Sequence, residues 1–528
     1  MSSRWVMMNQ SDYGELRDLP RYQESVVAML RATVRRNPEL PALHQGHIRL
    51  TYGEYLAAVE HLADSLGAKT EGAVIAVALR NSIELAIVSF AVHFSGAALC
   101  LINPDYMPQE LAGILADAAP IMTIGNEAFR EKLEACGTDG GEFRLVVEGE
   151  GRLRVPVPAE PPILGAIGPD MLATIQYTGG TSGRPKGVEL THGAIAANIA
   201  QREAMLPTSF GGEKILCLMP MFHSFGTAMC LHLAAACGGE LVIMPAYRPA
   251  DTLAAIRQHG INLFPAGPTV YTSLLSFEET GPDDLAPITA SYSGSAALPP
   301  DVLHRWEALA GSPIFEGYGQ TEAGPILTYN SPSFERRAGS VGKPLPFTSV
   351  RIVDGDGLPC AQGTTGEIWA SGPQIMRGYR NLPNETSAAL GDGWLRTGDL
   401  GHFDEDGYLF IDGRKKEMAI IKGYNVYPVE VDNVLFQHPG ILEAATVATK
   451  DGYRGEVLYA FVAPRPDASL TTDSVEAWCR DRLVRYKVPS MFVLLTALPK
   501  TAIGKIDKTE LARSAARMHG SATSAPAA

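Results

Sequence analysis

Residues 177–192 read YTGGTSGRPKGVELTH, and the rest of the chain is best understood outward from them. The strand-like TIQ precedes this stretch and the helical AIAANIAQ follows it, so it is a glycine-rich connection from strand to helix. Gly179 and Gly180 free the backbone to close around an anion. Thr178, Thr181 and Ser182 supply hydroxyls, and Lys186 supplies a positive charge. It is not a Walker loop, where lysine directly follows the last glycine, because Arg184 and Pro185 intervene. Nor is it a nucleophile elbow, because Thr181 rather than serine stands at the centre of GGTSG.

Such a loop needs an anionic ligand, yet the chain itself is acidic. A formal charge of −14 over 528 residues argues against a general nucleic-acid partner or an anionic-membrane surface. A polyanion must therefore meet local lysines, arginines and backbone N–H groups. The seven cysteines show neither a CxxC pair nor metal-ligand spacing, which fits a reduced, cytoplasmic chain. The opening residues are polar, and the apolar run from Leu85 to Ile102 is broken by Ser89, His93, Ser95 and Gly96. It reads as a buried helix entering a buried strand, so no membrane span is expected.

Along the chain, segments such as VIAVAL (74–79), TIQYT, ILCLM and LVIMP alternate with helical stretches. That rhythm predicts an α/β fold with mostly parallel, helix-covered sheets. The segments SVRIVDGDGLP, GEIWASG and GYLFIDG, broken by DG turns, predict a small antiparallel unit. The expected organisation is a large N-terminal body over 1–412, a hinge at 413–416, and a small mobile α+β C-terminal lid over 417–517. Residues 518–528 are expected to be a disordered tail.

Further motifs stand in order down the chain: GYGQTEAG (317–324), WLRTGDL with Asp399, DGRKKEMAIIKGYNVYP with Arg414, and PKTAIGKID with Lys505. Each alone reads as a turn or a solvated charge run. Together with the glycine-rich loop they closely resemble the adenylate-forming superfamily, and within it the AMP-forming acyl-CoA synthetases, over nearly the whole chain. The resemblance implies ATP, Mg²⁺ and coenzyme A as cofactor and co-substrates, and a small-molecule carboxylic acid as substrate.

The resemblance also implies roles residue by residue. Thr178, Gly179, Gly180, Thr181, Ser182, Lys186, Ser295, Glu316, Gly317, Tyr318 and Gly319 would bind the nucleotide. Asp399 would accept from both ribose hydroxyls, Arg414 would contact ribose and phosphate, and Thr321 the α-phosphate. Glu322, with Thr181, would hold the metal. Lys416 would be the hinge, and Lys505 would neutralise charge between carboxylate and α-phosphate. His223, in PMFHSFGT, would stand beside the carboxylate, with Phe225, Gly226, Gly294 and Gly324 in the acyl pocket. No acidic residue stands near Phe225 and Gly226 to pair with an ammonium, so an amino-acid substrate is not expected.

The pocket segments FPAGP, SGSAAL and GPIL are small and apolar and suit an alkyl or aryl tail. A medium- or long-chain fatty acid is the leading substrate, with benzoate- or coumarate-type acids in second place. Lys422 and Gly423 match the coenzyme A contacts of the ligases. Ile420 and Asn425 depart from the hydroxycinnamate pattern. An acyl-AMP ligase that loads a carrier-protein thiol would carry the same motifs, and so would an inactive nucleotide-binding sensor. The PKTAIGK string also resembles sites where a protein acetyltransferase silences such enzymes, here at Lys505.

Overall fold

The computed structural model describes residues 13–67, 70–137, 140–146, 166–178, 185–421, 424–451, 455–466, 468–501 and 505–523. Gly179, Gly180, Thr181, Ser182, Lys422 and Gly423, together with most of the 145–162 connector, lie outside these residues.

Two large sheets form the body. One has nine strands, in the order Lys343–Pro344, Thr328–Tyr329, Ile314–Tyr318, Ala290–Ser293, Leu263–Ala266, Lys214–Cys217, Glu240–Ile243, Pro41–Gln45 and Ile48–Thr51. The other has seven: Gly378–Tyr379, Lys186–Thr191, Leu172–Thr178, Ala98–Leu101, Val74–Ala78, Met122–Gly125 and Glu142–Leu145. Both are parallel in the middle; the nine-stranded sheet is antiparallel at both edges, and the seven-stranded one only at its Gly378–Tyr379 edge, since Glu142–Leu145 pairs in parallel with Met122–Gly125. The helix-covered α/β expectation therefore holds.

The chain does not fill these sheets in sequence order. Strands Pro41–Gln45 and Ile48–Thr51 join the sheet of residues 214–344, whereas Leu172–Thr178 and Lys186–Thr191 join the sheet of residues 74–145. Helices between them are consequently buried on nearly every side. In Ile83–Phe94 all twelve residues are buried, and Ser82 starts the helix by accepting the Leu85 N–H at 3.1 Å. This is the membrane-like run of the sequence, enclosed in protein; no described helix is long and apolar enough to cross a membrane.

The predicted antiparallel unit is present as Ser349–Val353, Gly366–Ser371, Trp394–Phe403, Leu390–Gly391 and Leu409–Arg414. Residues 415–418 form a turn, and a smaller C-terminal domain follows with its own sheet and cores. Its strands are antiparallel except Met491–Leu494, which runs parallel to Gly455–Pro464. The last helix, Lys508–Thr523, continues through residues expected to be tail. Leu511 and Ala515 are buried and Met518 packs on the same core, so one helical face carries the chain past residue 517.

A buried polar seam fixes the helix that follows the glycine-rich loop. Thr191 caps helix His192–Met205, and Asn198 on it donates to the Ile326 carbonyl at 2.9 Å and accepts the Ile326 N–H at 3.1 Å. Gln201 donates to the Pro346 carbonyl at 2.7 Å, and Gln374 donates to Thr348 Oγ1 at 2.6 Å. A buried partner left alone costs its full desolvation. Gln374→Ala should therefore destabilise the body by about 1–3 kcal/mol, seen as a lower thermal unfolding midpoint; an unchanged midpoint would remove the seam from the stability of this region.

Candidate active site

Strand register brings distant residues side by side. Thr178 and Lys186 are cross-strand partners, so they face each other where the glycine-rich connection begins and ends. Asp399 and Arg414 are likewise partners on adjacent antiparallel strands, as are Ser293 and Glu316 on parallel ones. Thr178, Lys186, Ser293 and Arg414 stand at strand ends, whereas Glu316 and Asp399 lie within their strands.

Asp399 is buried. Its Oδ1 lies 3.0 Å from Arg414 Nε, and its Oδ2 accepts the Tyr318 hydroxyl at 2.7 Å. Burial raises its pKa, and Arg414 and Tyr318 oppose the rise. The Asp399 charge in turn holds the half-exposed Arg414 guanidinium firmly protonated. Tyr318 ends a strand whose glycines allow close approach. A Cβ on Gly319 would come within 1.9 Å of the Pro325 carbonyl oxygen, and one on Gly317 within 2.6 Å of the Tyr329 ring.

The turn Thr321–Ala323 follows. Thr321 is buried, with its hydroxyl 3.2 Å from that of Ser224. Glu322 Oε1 accepts the Tyr379 hydroxyl at 2.9 Å, and Lys186 Nζ stands 4.9 Å from the centre of the Tyr379 ring. Tyr379 thus links the lysine and the carboxylate, and its own pKa is driven up by burial and by Glu322. The sequence offered no signal for it beyond a tyrosine at a strand end.

Several buried oxygens beside this cluster have no hydrogen-bond partner among the described residues: Ser293 Oγ, Ser295 Oγ and Glu316 Oε2. Ser295 has φ +72°, a left-handed conformation unusual outside glycine. Glu316 accepts the Leu298 N–H at 2.9 Å through its other oxygen, and burial pushes its pKa up to about 8. At neutral pH it is a protonated carboxyl, able both to donate and to accept. Orphaned polar atoms at strand ends suit a ligand rich in hydrogen-bonding groups.

His223 starts the helical turn Ser224–Gly226 by accepting the Phe225 N–H on Nδ1 at 3.3 Å, so its neutral ring carries the proton on Nε2. Burial and Lys505 lower its pKa to about 3. Lys505 comes from the C-terminal domain and feels Arg414 and Asp399 as well. Burial first, and Arg414 second, lower its ammonium to about 8, against the pull of Asp399. One place therefore gathers Lys505, His223, Arg414 and Asp399 from both domains. Lys416 lies in the exposed turn between them; burial of part of its stem and the Arg414 charge lower its pKa. Its neighbour Lys415 pairs with Glu367 at 3.1 Å, so the run of charge is not wholly solvated.

The acyl-pocket residues separate into two groups. Gly324 lines a narrow cleft with Pro325, Ser224, Thr227, Ala228 and His232, with a free volume of about 10 Å³, room for about one water. Thr174, Gln176, Leu190 and Ile195 complete it. Gly294 is held against Phe225, with room for no side chain: a Cβ would come 2.7 Å from the ring. Gly226 packs against the Pro220 carbonyl. The wall is thus more polar than the small apolar segments of the sequence suggest. Its polar members come from strand Leu172–Thr178 and from residues 224–232.

This fold and this cluster define an enzyme that handles a nucleotide and a carboxylic acid between a large body and a small C-terminal domain. Residues 30–380 match the model of the AMP-binding enzyme family and residues 430–505 that of the AMP-binding enzyme C-terminal domain; the chain belongs to this family, among the adenylate-forming acyl-CoA synthetases. It is 34% identical to a long-chain-fatty-acid–CoA ligase of Bacillus subtilis, over 94% of this chain and 95% of that one. It is also 34% identical to an indoleacetate–CoA ligase of Aromatoleum aromaticum, over 89% and 94%. The structure of an anthranilate CoA ligase in complex with anthranoyl-AMP superposes with a TM-score of 0.87 at 26% identity, covering 96% of this chain and 100% of the other.

The Glu316 carboxyl gives a pH signature. Its folded pKa lies above the ordinary carboxylate value, so the stability it contributes is present at low pH and is lost as pH rises toward about 8. Glu316→Gln should abolish that slope, worth at most about 1.4 kcal/mol per pH unit, in thermal midpoints measured from acid to mildly alkaline pH. Parallel profiles for the two proteins would mean that Glu316 ionises normally.

Proposed function

We propose that the chain activates a carboxylic acid with ATP and passes the acyl group to coenzyme A. In the first step a carboxylate oxygen attacks the α-phosphorus of ATP, acyl-AMP forms and pyrophosphate leaves. In the second the thiol sulfur attacks the acyl carbon, the thioester forms, the thiol proton is released and AMP leaves. The observation that carries this reading is the meeting of Lys505 with His223, Arg414 and Asp399, three body groups gathered around one space.

Each group has a task there. Asp399 takes the ribose hydroxyls, charge-assisted bonds that are about twice as strong as neutral ones. Arg414 and Lys186 meet phosphate oxygens, as would Thr178 and the loop residues Gly179, Gly180, Thr181 and Ser182. Ser295, Glu316, Tyr318 and the glycine-lined strand end at Gly317 and Gly319 hold the nucleoside. The Nε2–H of His223 and the Thr321 hydroxyl stand beside the reacting groups. Glu322, with Thr181, would hold Mg²⁺. The fit rests on a half-buried carboxylate beside Lys186, since a hard cation prefers oxygen ligands, and the ion would neutralise phosphate charge when bound. Lys422 and Gly423 are the proposed coenzyme A contacts, and the CoA-ligase relatives support that acceptor over a carrier protein. The relatives include both fatty-acid and aryl-acid ligases, which supports either kind of tail.

The test is acid-dependent exchange of labelled pyrophosphate into ATP without coenzyme A, followed by AMP and thioester release when coenzyme A is added. Exchange should appear with at least one alkyl or aryl acid. Its absence across both classes would overturn the reading.

One site must first hold Lys505 against the α-phosphate and then admit a thiol to the same acyl carbon. A body over 1–412 and a lid over 417–517 that rotates about 413–416 would meet both demands. Lys505→Ala, and equally acetylation of Lys505 by a protein acetyltransferase, deletes the charge. Either should slow acyl-AMP formation at least about a hundredfold while supplied acyl-AMP and coenzyme A still react. Lys416→Pro, which locks φ, should keep adenylation and lose thioester formation. Equal slowing of both half-reactions in both variants would refute the rotating lid.

A further inference from the structure

The Lys505 ammonium is not drawn into the site by its own charge. Arg414 repels it more strongly than Asp399 attracts it, and among the described residues no carboxylate forms an ion pair with it. Its place is therefore set by the segment that carries it. That segment closes on itself. The Thr501 N–H donates to the Lys505 carbonyl at 2.7 Å, and the Lys505 N–H donates to Thr501 Oγ1 at 3.2 Å. Lys500 and Ile506 form an antiparallel bridge around this pair, and the Asp507 N–H donates to the Pro499 carbonyl at 2.8 Å. Whatever holds the two ends of the loop thus aims the Lys505 side chain.

Ion pairs hold both ends. On the incoming side Lys500 pairs with Glu443, on strand Ile441–Asp451 of the same domain. On the outgoing side Lys508, the first residue of the last helix, has its Nζ 3.0 Å from Asp432 Oδ2 and 3.9 Å from Glu417 Oε2. The two carboxylates belong to different parts of the molecule. Asp432 is buried on helix Pro428–Phe436, inside the C-terminal domain. Glu417 belongs to the turn that leaves the body; its N–H donates to the Arg414 carbonyl at 2.9 Å, and its charge acts on Arg414. Lysine loop, domain core and interdomain turn therefore meet at one cation. Burial opposes the Lys508 charge, but Asp432 and then Glu417 outweigh it and raise the pKa, so Lys508 stays protonated. A solvated pair would contribute little. Here loss of the cation leaves a buried carboxylate uncompensated.

We infer that Lys508 is a positioning residue for acid activation: paired with Asp432 and steadied by Glu417, it fixes the loop so that Lys505 reaches the reacting carboxylate and the α-phosphate. This rests on the acid-activating reading and adds to it residues that do not touch the substrate. Thioester formation makes no use of Lys505, so it does not depend on the pair.

The test measures the two half-reactions separately, as pyrophosphate exchange without coenzyme A and as thioester release from supplied acyl-AMP and coenzyme A. Lys508→Met and Asp432→Asn should each lower kcat for exchange at least about tenfold, with KM for ATP and acid within about threefold of wild type and thioester release preserved. Lys508→Arg, which keeps the charge, should recover most of the exchange. Added to Lys505→Ala, Lys508→Met should cost little more, because it acts through the lysine already removed. Should Asp432→Asn fail to fold, the Lys508 variants decide. Wild-type exchange in Lys508→Met overturns the positioning role. So does equal loss of both half-reactions, the mark of a damaged domain, or a further tenfold loss in the double variant. A wild-type protein that shows no exchange with any acid overturns the acid-activating reading itself.

Discussion

Everything in this molecule turns on holding a lysine from one domain beside an arginine of the other. Lys505 is largely buried and within reach of Arg414, and both effects push its pKa down to about 8. Two cations close together in a partly dry space repel; Asp399 offsets both, while Glu417 and Glu322 act on Arg414. The arrangement is relieved by an anion. A protein with a formal charge of −14 has thus built a locally positive cavity, and the ligand that fits it best carries concentrated negative charge.

The body prepares for this encounter through strand register. Asp399 faces Arg414, Thr178 faces Lys186 and Ser293 adjoins Glu316 because backbone ladders set those neighbours. Side chains alone could not be held so firmly. The polar seam of Asn198, Gln201 and Gln374 then ties the helix after the glycine-rich connection to the segments flanking Thr321 and Glu322. The helix after the glycine-rich connection and the turn at Thr321 and Glu322 therefore belong to one rigid support.

The C-terminal domain is built on different terms. Its cores are its own, and a four-residue turn joins it to the body. A domain with an independent core keeps its fold without support from the body.

The glycine-rich loop, the GYGQTE turn, Asp399, Arg414 and Lys505 were all legible in the amino-acid order, because each depends on local backbone needs and on residue types in fixed spacing. So were the buried helix at 83–94, the antiparallel unit and the small final domain, whose apolar periodicities are local as well. The crossing of strands between the two large sheets was not legible, since a strand carries no label for its partner. Nor was the role of Tyr379 between Lys186 and Glu322, nor the extension of the last helix over 518–523 through the buried face of Leu511 and Ala515. Glu417, Asp432 and Lys508 stand far apart in the chain, and each looks like an ordinary solvated charge alone. The raised pKa of Glu316 and the lowered one of Lys505 both arise from desolvation by residues far away in the chain. Sequence by itself determined which chemical groups the protein possesses; tertiary structure decided which of them lose their water, and next to whom.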